Sequence, residues 1–250
     1  MPPIITLLTD FGTADGYVAQ MKGVILSAAP DATLVDVTHD IPAQDVDAAR
    51  LALERYWRRF PEGAVHLVVV DPGVGSSRAA LAVAAAGRFL VGPDNGVLSP
   101  ALGCADARAV SLTIPAGASA TFHGRDVFSP AAAALATGTP LSRLGTLHPC
   151  PVLRQTTAPA LQEDGAIRGE VVTIDRFGNA ITNVPGPLPG YRVWIGAMHL
   201  PVLQTYADVA PGDPLALTGS SGLIEIAVRE GSAAQRLALT RGMTVLLRRC

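Results

Sequence analysis

The stretch VHLVVVDPGVGSSR (65–78) decides the fold. Its first six residues form an apolar run interrupted only by His66, too short for a buried helix and typical of a strand covered on both faces of a parallel sheet. The run ends on a carboxylate, Asp71, and passes into a glycine-rich turn. Open α/β sheets keep their ligand crevice beyond the carboxyl ends of their strands, so an acidic residue here marks a candidate site. Upstream, IITLLTD (4–10) reads as another buried strand and also ends on an acid, Asp10. Residues 16–29 place Val18, Met21, Val24 and Ile25 on one face and predict a helix with Asp15 as N-cap. TLVDVT (33–38) predicts a strand, and DVDAARLALERYWRRF (45–60) a helix opened by Asp45 and closed by Pro61 and Gly63.

Downstream, RAALAVAA (78–85) and RFLVG (88–92) read as strands, GPDNGVLSP (92–100) as a turn-rich loop, and DVFSPAAAALATG (126–138) as a helix. This alternation predicts an N-terminal α/β domain with a largely parallel sheet over residues 1–160. Between 139 and 165 the chain turns to Pro, Thr and polar residues without a sustained period, which predicts the boundary. Residues 161–250 carry short strands (EVVTID, AITNV, RVWIG, PLALT, LIEIAV, MTVLLR) spaced by Gly, Pro and Asp, with a helical piece near 232–238. They predict a smaller C-terminal antiparallel β domain of barrel or sandwich type.

Bulk properties exclude several function classes. A net charge of -2, with no basic stripe, is a poor match for nucleic acid. The mean hydropathy of +0.34 comes from Ala and Val in short runs, none near the roughly 20 apolar residues of a spanning helix. MPPIITLLTDFG lacks a basic start and meets Asp10 too early for a signal peptide, so a cytoplasmic protein is expected. Cys104, Cys150 and Cys250 are odd in number and lack C-x-x-C spacing, which predicts reduced thiols and neither a disulfide framework nor a zinc site. Lys22, the sole lysine among 19 basic residues, receives no role.

In DPGVGSSR the glycines are not followed by G-K-[ST], so the cradle of a nucleotide phosphate is missing. The turn can instead bring Arg78 back beside Asp71, as a plain ion pair or as part of a site. In TFHGRDVFSP, His123 precedes a helix whose first turn holds Arg125 and Asp126. Single histidines are more often structural, but a loop position beside Gly124 favours a site over His39, His66, His148 or His199. DRFGNAITN (175–183) places Gly178 and Asn179 in a tight turn; Phe177 there is a stacking surface that a bare hairpin would not need.

LLTDFGTADGYV, DVTHDIPAQDV, VVDPGVGSSR, VGPDNGVLSP, TFHGRDVFSPAAA, IDRFGNAITN and GSSGLIEIAV, in this order over nearly the whole chain, resemble the S-adenosylmethionine hydroxide adenosyltransferase family, relatives of fluorinases and chlorinases. The resemblance implies hydrolysis of S-adenosylmethionine, a small-molecule substrate, to adenosine and methionine, with no cofactor and no metal. It also implies a homotrimer with active sites between the N-terminal domain of one subunit and the C-terminal domain of the next. Carried over by motif, Asp71, Arg78 and His123 form the water-activating triad. Asp10 holds the ribose hydroxyls, Phe11 and Phe177 pack around the nucleoside, and Asn179 reads the adenine. Asp15 and Asp175 are candidates for the methionine ammonium, and Ser220 and Ser221 for its carboxylate. Glu225 and Val228 line the adenine pocket.

The halogenating relatives carry a tyrosine where Asp71 stands, a bulkier aromatic at Gln44, and an insertion after the second helix that this chain lacks. A carboxylate at the nucleophile repels halide and accepts a hydrogen bond from water. Two alternatives remain open on these residues: a halide adenosyltransferase, and a non-catalytic nucleoside or S-adenosylmethionine sensor that kept the pocket. For the hydrolase, Asp71 and His123 are expected to share the water proton through a hydrogen-bonded relay while Arg78 stabilises the developing hydroxide.

Overall fold

The structure, a computed structural model, describes residues 2–249; Cys250 lies outside them. The chain forms two compact units, one ending at Gln155 and the other beginning at Thr156.

The first unit runs β1 (Ile4–Thr9), α1 (Tyr17–Ala28), β2 (Thr33–Thr38), α2 (Val46–Tyr56), β3 (Val65–Val69), β4 (Ala80–Ala85), β5 (Arg88–Pro93), α3 (Ser99–Leu102), β6 (Arg108–Leu112), α4 (Ser129–Ala136) and β7 (Gly145–Leu147). Its seven strands lie in the order β2-β1-β3-β5-β4-β6-β7. The crossovers through α1 and α2 make β2, β1 and β3 parallel, and β5 joins β3 in parallel. The expectation of a largely parallel sheet is corrected beyond that point, because β4 is antiparallel to both β5 and β6, and β7 to β6. The cause is local. Ala86 and Gly87 both have positive φ and close a two-residue hairpin, a connection too short for anything but antiparallel strands. The sheet is therefore mixed.

Both faces are covered. Alternation along β1 and β3 sends Ile5, Leu7, Val65 and Leu67 to a core that includes Met21, Ile25 and Phe128. Leu8, Val68 and Val70 join a second core with Leu53, Trp57 and Leu98. Of the two N-caps expected, one is present. Asp45 caps α2, accepting from the Ala48 N–H at 2.9 Å. Asp15 does not cap α1: Gly16, left-handed at φ 73°, occupies that position, and Asp15 is exposed. The segment 126–138 is helical, but it opens on a π-helical turn over Gly124–Phe128.

The second unit contains β8 (Ala160–Leu161), β9 (Ile167–Ile174), β10 (Ala180–Pro185), β11 (Tyr191–Ile195), β12 (Met198–Leu203), β13 (Pro214–Thr218), β14 (Leu223–Val228), α5 (Ala233–Arg236) and β15 (Thr244–Arg249). Seven of its strands close into a barrel, because β10 at one end of the order also pairs with β9, while β8 extends β9. Val171, Val193, Ile226 and Val245 are among the side chains that fill it. One pairing departs from the antiparallel expectation: β12 and β13 are parallel. The intervening segment, with a 3-10 turn at Tyr206–Asp208, is long enough to carry the chain back before it re-enters the sheet.

Candidate active site

Three loops of the first unit meet beyond the carboxyl ends of its parallel strands. The Gly-rich turn after β3 folds back on itself: Val74 N–H donates to the Asp71 carbonyl at 3.2 Å and Ser76 N–H to that of Gly73 at 3.1 Å. Gly75, at φ +77°, sits directly against the Ala120 carbonyl, where a Cβ could not fit. This close approach brings the turn to the segment that carries His123.

The result is a three-group cluster centred on Arg78. Its Nε donates to Asp71 Oδ1 at 2.9 Å and its Nη2 to Asp71 Oδ2, a bidentate ion pair. The same Nη2 donates to His123 Nδ1 at 2.9 Å, and the guanidinium carbon lies 5.3 Å from the centroid of the Phe128 ring. The Arg78 and Asp71 side chains are only 9% and 5% exposed, so the pair is held in a site that largely excludes water. No hydrogen bond joins Asp71 directly to His123 among the described residues; Arg78 stands between them.

A guanidinium can only donate, which fixes the imidazole as neutral, with Nδ1 accepting and the proton on Nε2. Burial and then the Arg78 cation push the His123 pKa below the ordinary imidazole value, outweighing Asp71 and Asp126. Its Nε2–H meets no protein acceptor among the described residues and is not sealed off, leaving it available to solvent or a ligand. Asp126 serves the loop: it takes both Nε and Nη2 of Arg125 and the Ser119 N–H, the last at 2.9 Å. The Arg125 hydrogen bonds hold its carboxyl below the usual range.

Asp10 and Phe11 lie in the loop after β1. Asp10 Oδ2 accepts the Gln44 N–H at 2.8 Å, and Gln44 adopts a left-handed φ of 67° to present it. Phe11, Tyr17 and Phe122 form a triangle of rings with centroids 5.2 to 5.9 Å apart. Phe11 also flanks Gly124, next to His123, so the nucleoside candidates and the triad share one rim of this unit. Asp15 is exposed, one residue before the Gly16 that starts α1.

The remaining candidates belong to the second unit. Asp175 Oδ1 accepts the N–H groups of Phe177 and Asn179, both at 2.9 Å, and its Oδ2 accepts Asn179 Nδ2 at 3.0 Å. Its carboxylate thus builds the turn that holds Phe177 77% exposed and orients Asn179, whose Oδ1 is turned into an acceptor for a partner. Glu225 on β14 lies against Gly219, which has no room for a side chain, and hydrogen-bonds the Tyr206 hydroxyl. Tyr206 also accepts from Asn179 Nδ2 at 3.4 Å; burial, then the charges of Glu225 and Asp175, raise its pKa. Tyr206 was absent from the sequence-based candidates, because in the polar loop between the unrecognised β12 and the expected β13 nothing marks it. Ser220 and Ser221 are exposed in the turn before β14, whereas Val228 is buried among the barrel residues. Among the described residues no three of His, Cys, Asp and Glu group so as to hold a metal ion, and Cys104 and Cys150 are free thiols.

Residues 5–145 match the model of the SAM hydroxide adenosyltransferase N-terminal domain, and residues 169–246 that of its C-terminal domain. The chain is 44% identical to an (R)-S-adenosyl-L-methionine hydrolase of Thermus thermophilus, covering 97% of this chain and 98% of the relative. A fluorinase of Actinopolyspora mzabensis is more distant, at 30% identity over 99% of this chain and 97% of the fluorinase. That alignment spans 291 positions against a chain of 250 residues, so the fluorinase carries segments this chain lacks. Among solved structures, an uncharacterized conserved protein from Thermotoga maritima superposes with a TM-score of 0.91 at 34% identity, covering 98% of this chain and 100% of that one.

Proposed function

The chain belongs to the S-adenosylmethionine hydroxide adenosyltransferase family, and on that premise we propose how this S-adenosyl-L-methionine hydrolase forms adenosine and L-methionine. The breaking bond needs no acid, because cleavage between C5' and sulfur releases a neutral thioether. The difficulty lies in the nucleophile: water must sit in line behind C5', at roughly 3 to 3.5 Å, with a proton ready to leave.

The observation that carries the reading is the Arg78 guanidinium bridging Asp71 and a neutral His123. With Nδ1 committed to Arg78, His123 offers a donor, and its Nε2–H orients the water oxygen. Asp71 accepts a water hydrogen on a lone pair that Arg78 leaves unused, and Arg78 stabilises the hydroxide character that develops. As the C5'–O bond forms, the C5'–S electron pair passes to sulfur and the water proton departs by way of Asp71. The relay expected between Asp71 and His123 thereby becomes a division of labour across Arg78.

In the same reading Asp10 and Phe11 hold the ribose, and Phe177, Asn179, Glu225 and Val228 receive the adenine, with Tyr206 added to them. Asp15 and Asp175 meet the ammonium and Ser220 and Ser221 the carboxylate of methionine. The enzyme works as a cytoplasmic homotrimer without cofactor or metal, its sites built between neighbouring subunits, as the family resemblance implies.

The decisive experiment is turnover in oxygen-18 water, in which the label enters the 5'-hydroxyl of adenosine. Tight adenosine binding without turnover would make the protein a sensor, and a 5'-halo-adenosine formed with chloride or fluoride would make it a halide transferase.

A further inference from the structure

We infer that Thr9, held by the His39 ring, is the positioning residue that sets the Asp10–Gly12 loop and through it the nucleoside affinity of the site. Thr9 is the last residue of β1 and fully buried. A valine of the same shape would avoid placing a hydroxyl in the interior, so the hydroxyl must be satisfied by specific partners. It has two. The Phe11 N–H donates to Thr9 Oγ1 at 3.2 Å, which turns the chain sharply after Asp10. Thr9 Oγ1 lies 2.9 Å from Nδ1 of the buried His39.

The far side of the ring fixes its orientation. His39 Nε2 lies 3.0 Å from Asp36 Oδ1, and a carboxylate only accepts, so Nε2 donates to Asp36 and Nδ1 is turned to the Thr9 hydroxyl. Asp36 Oδ2 in turn pairs with Lys22 Nζ at 2.6 Å, which gives the sole lysine of the chain a partner. Although burial pushes the Asp36 pKa upward, the hydrogen bonds from Lys22 and His39 hold it below the usual value, so the acceptor stays ionised.

His39 acts a second time through its backbone. Its carbonyl accepts the Gly12 N–H at 2.9 Å. The loop is thus fastened at Phe11 and Gly12 to the Thr9–His39 unit, while among the described residues the Asp10 side chain is fastened only to the Gln44 N–H. Its Oδ1 finds no donor among the described residues. The relay therefore fixes the backbone and leaves one carboxylate oxygen available to a diol.

This inference rests on the proposed reading of Asp10 and Phe11 as nucleoside contacts. It is tested by measuring the adenosine Kd and the KM and kcat for S-adenosylmethionine in Thr9→Val, Thr9→Ser, Asp36→Ala and Asp10→Asn. Thr9→Val should raise Kd and KM by about tenfold, the scale of one lost buried hydrogen bond, with kcat falling far less. Thr9→Ser should return both toward the wild-type values, and Asp36→Ala, at a half-exposed position that folding tolerates, should shift them in the same direction by less. A Thr9→Val enzyme binding adenosine like wild type while Asp10→Asn binds it weakly overturns the inference. If Thr9→Val does not fold, an unchanged Kd in Asp36→Ala overturns it equally. Unchanged binding by Asp10→Asn instead removes the nucleoside reading of the loop itself.

Discussion

At Arg78 one guanidinium commits three N–H···acceptor contacts to the site, two to Asp71 and one to His123. Removing either partner leaves a nearly buried cation short of acceptors. Asp71→Ala and His123→Ala should therefore each lower kcat by more than about a hundredfold, with the adenosine Kd within a few-fold of wild type; near-wild-type turnover in either would refute the cluster's role. The pH dependence follows from the His123 tautomer. Protonation would turn Nδ1 into a donor facing a donor, and the His123 pKa lies below the ordinary imidazole value of about 6.5. Turnover should thus hold below the pH where a free imidazole titrates, then fall on further acidification, a limb that pH–rate profiles of His123→Gln should lack. His66 carries a different acid response. Fully buried and pushed down to about 4, chiefly by burial, it stays neutral when folded, whereas the unfolded chain takes up the proton below about 6.5. Stability should decline as pH falls from about 6.5 to about 4, by about 3 kcal/mol from this group, and urea midpoints of His66→Leu should show a shallower acid slope.

At the scale of elements, the turn after β3 and the segment before the π-helical turn form one device, because Gly75 brings the first against the Ala120 carbonyl. Gly75→Val adds a β-branched side chain at a positive φ and in occupied space, and should cost about 1 to 3 kcal/mol while lowering kcat more than tenfold, read by denaturant melts beside initial rates. Much at this scale was legible in sequence. The buried strand at 65–69, the Asp45-capped helix and the Gly178 turn follow from hydrophobic period and turn chemistry. The Ala86–Gly87 hairpin was not, since alanine in a left-handed turn carries no composition signal. Asp15 misled for a related reason: a good capping residue stands one position before a glycine whose backbone makes the start by itself. Strands β6, β7 and β12 escaped because each is short and flanked by polar or proline-rich segments.

At the scale of the whole molecule, the proposed trimer makes a direct prediction. If a site takes its triad from one subunit and its Asn179 turn from the next, mixing Asp71→Asn with Asn179→Ala subunits after co-refolding should restore about a quarter of the sites, whereas sites complete within each chain would give no recovery. The sequence by itself determined the two-part organisation, the carboxylates at the strand ends and, through seven ordered motifs, the family and its chemistry. These are local properties, carried by period, turn residues and residue type within a few positions. Only the tertiary structure decided that the sheet is mixed, that the second unit closes into a barrel, that Arg78 stands between Asp71 and His123, and that Lys22, Asp36, His39 and Thr9 form one chain of contacts. Strand partners and hydrogen-bond partners are chosen by distance in space, and residues tens of positions apart acquire that distance only when the sheet assembles.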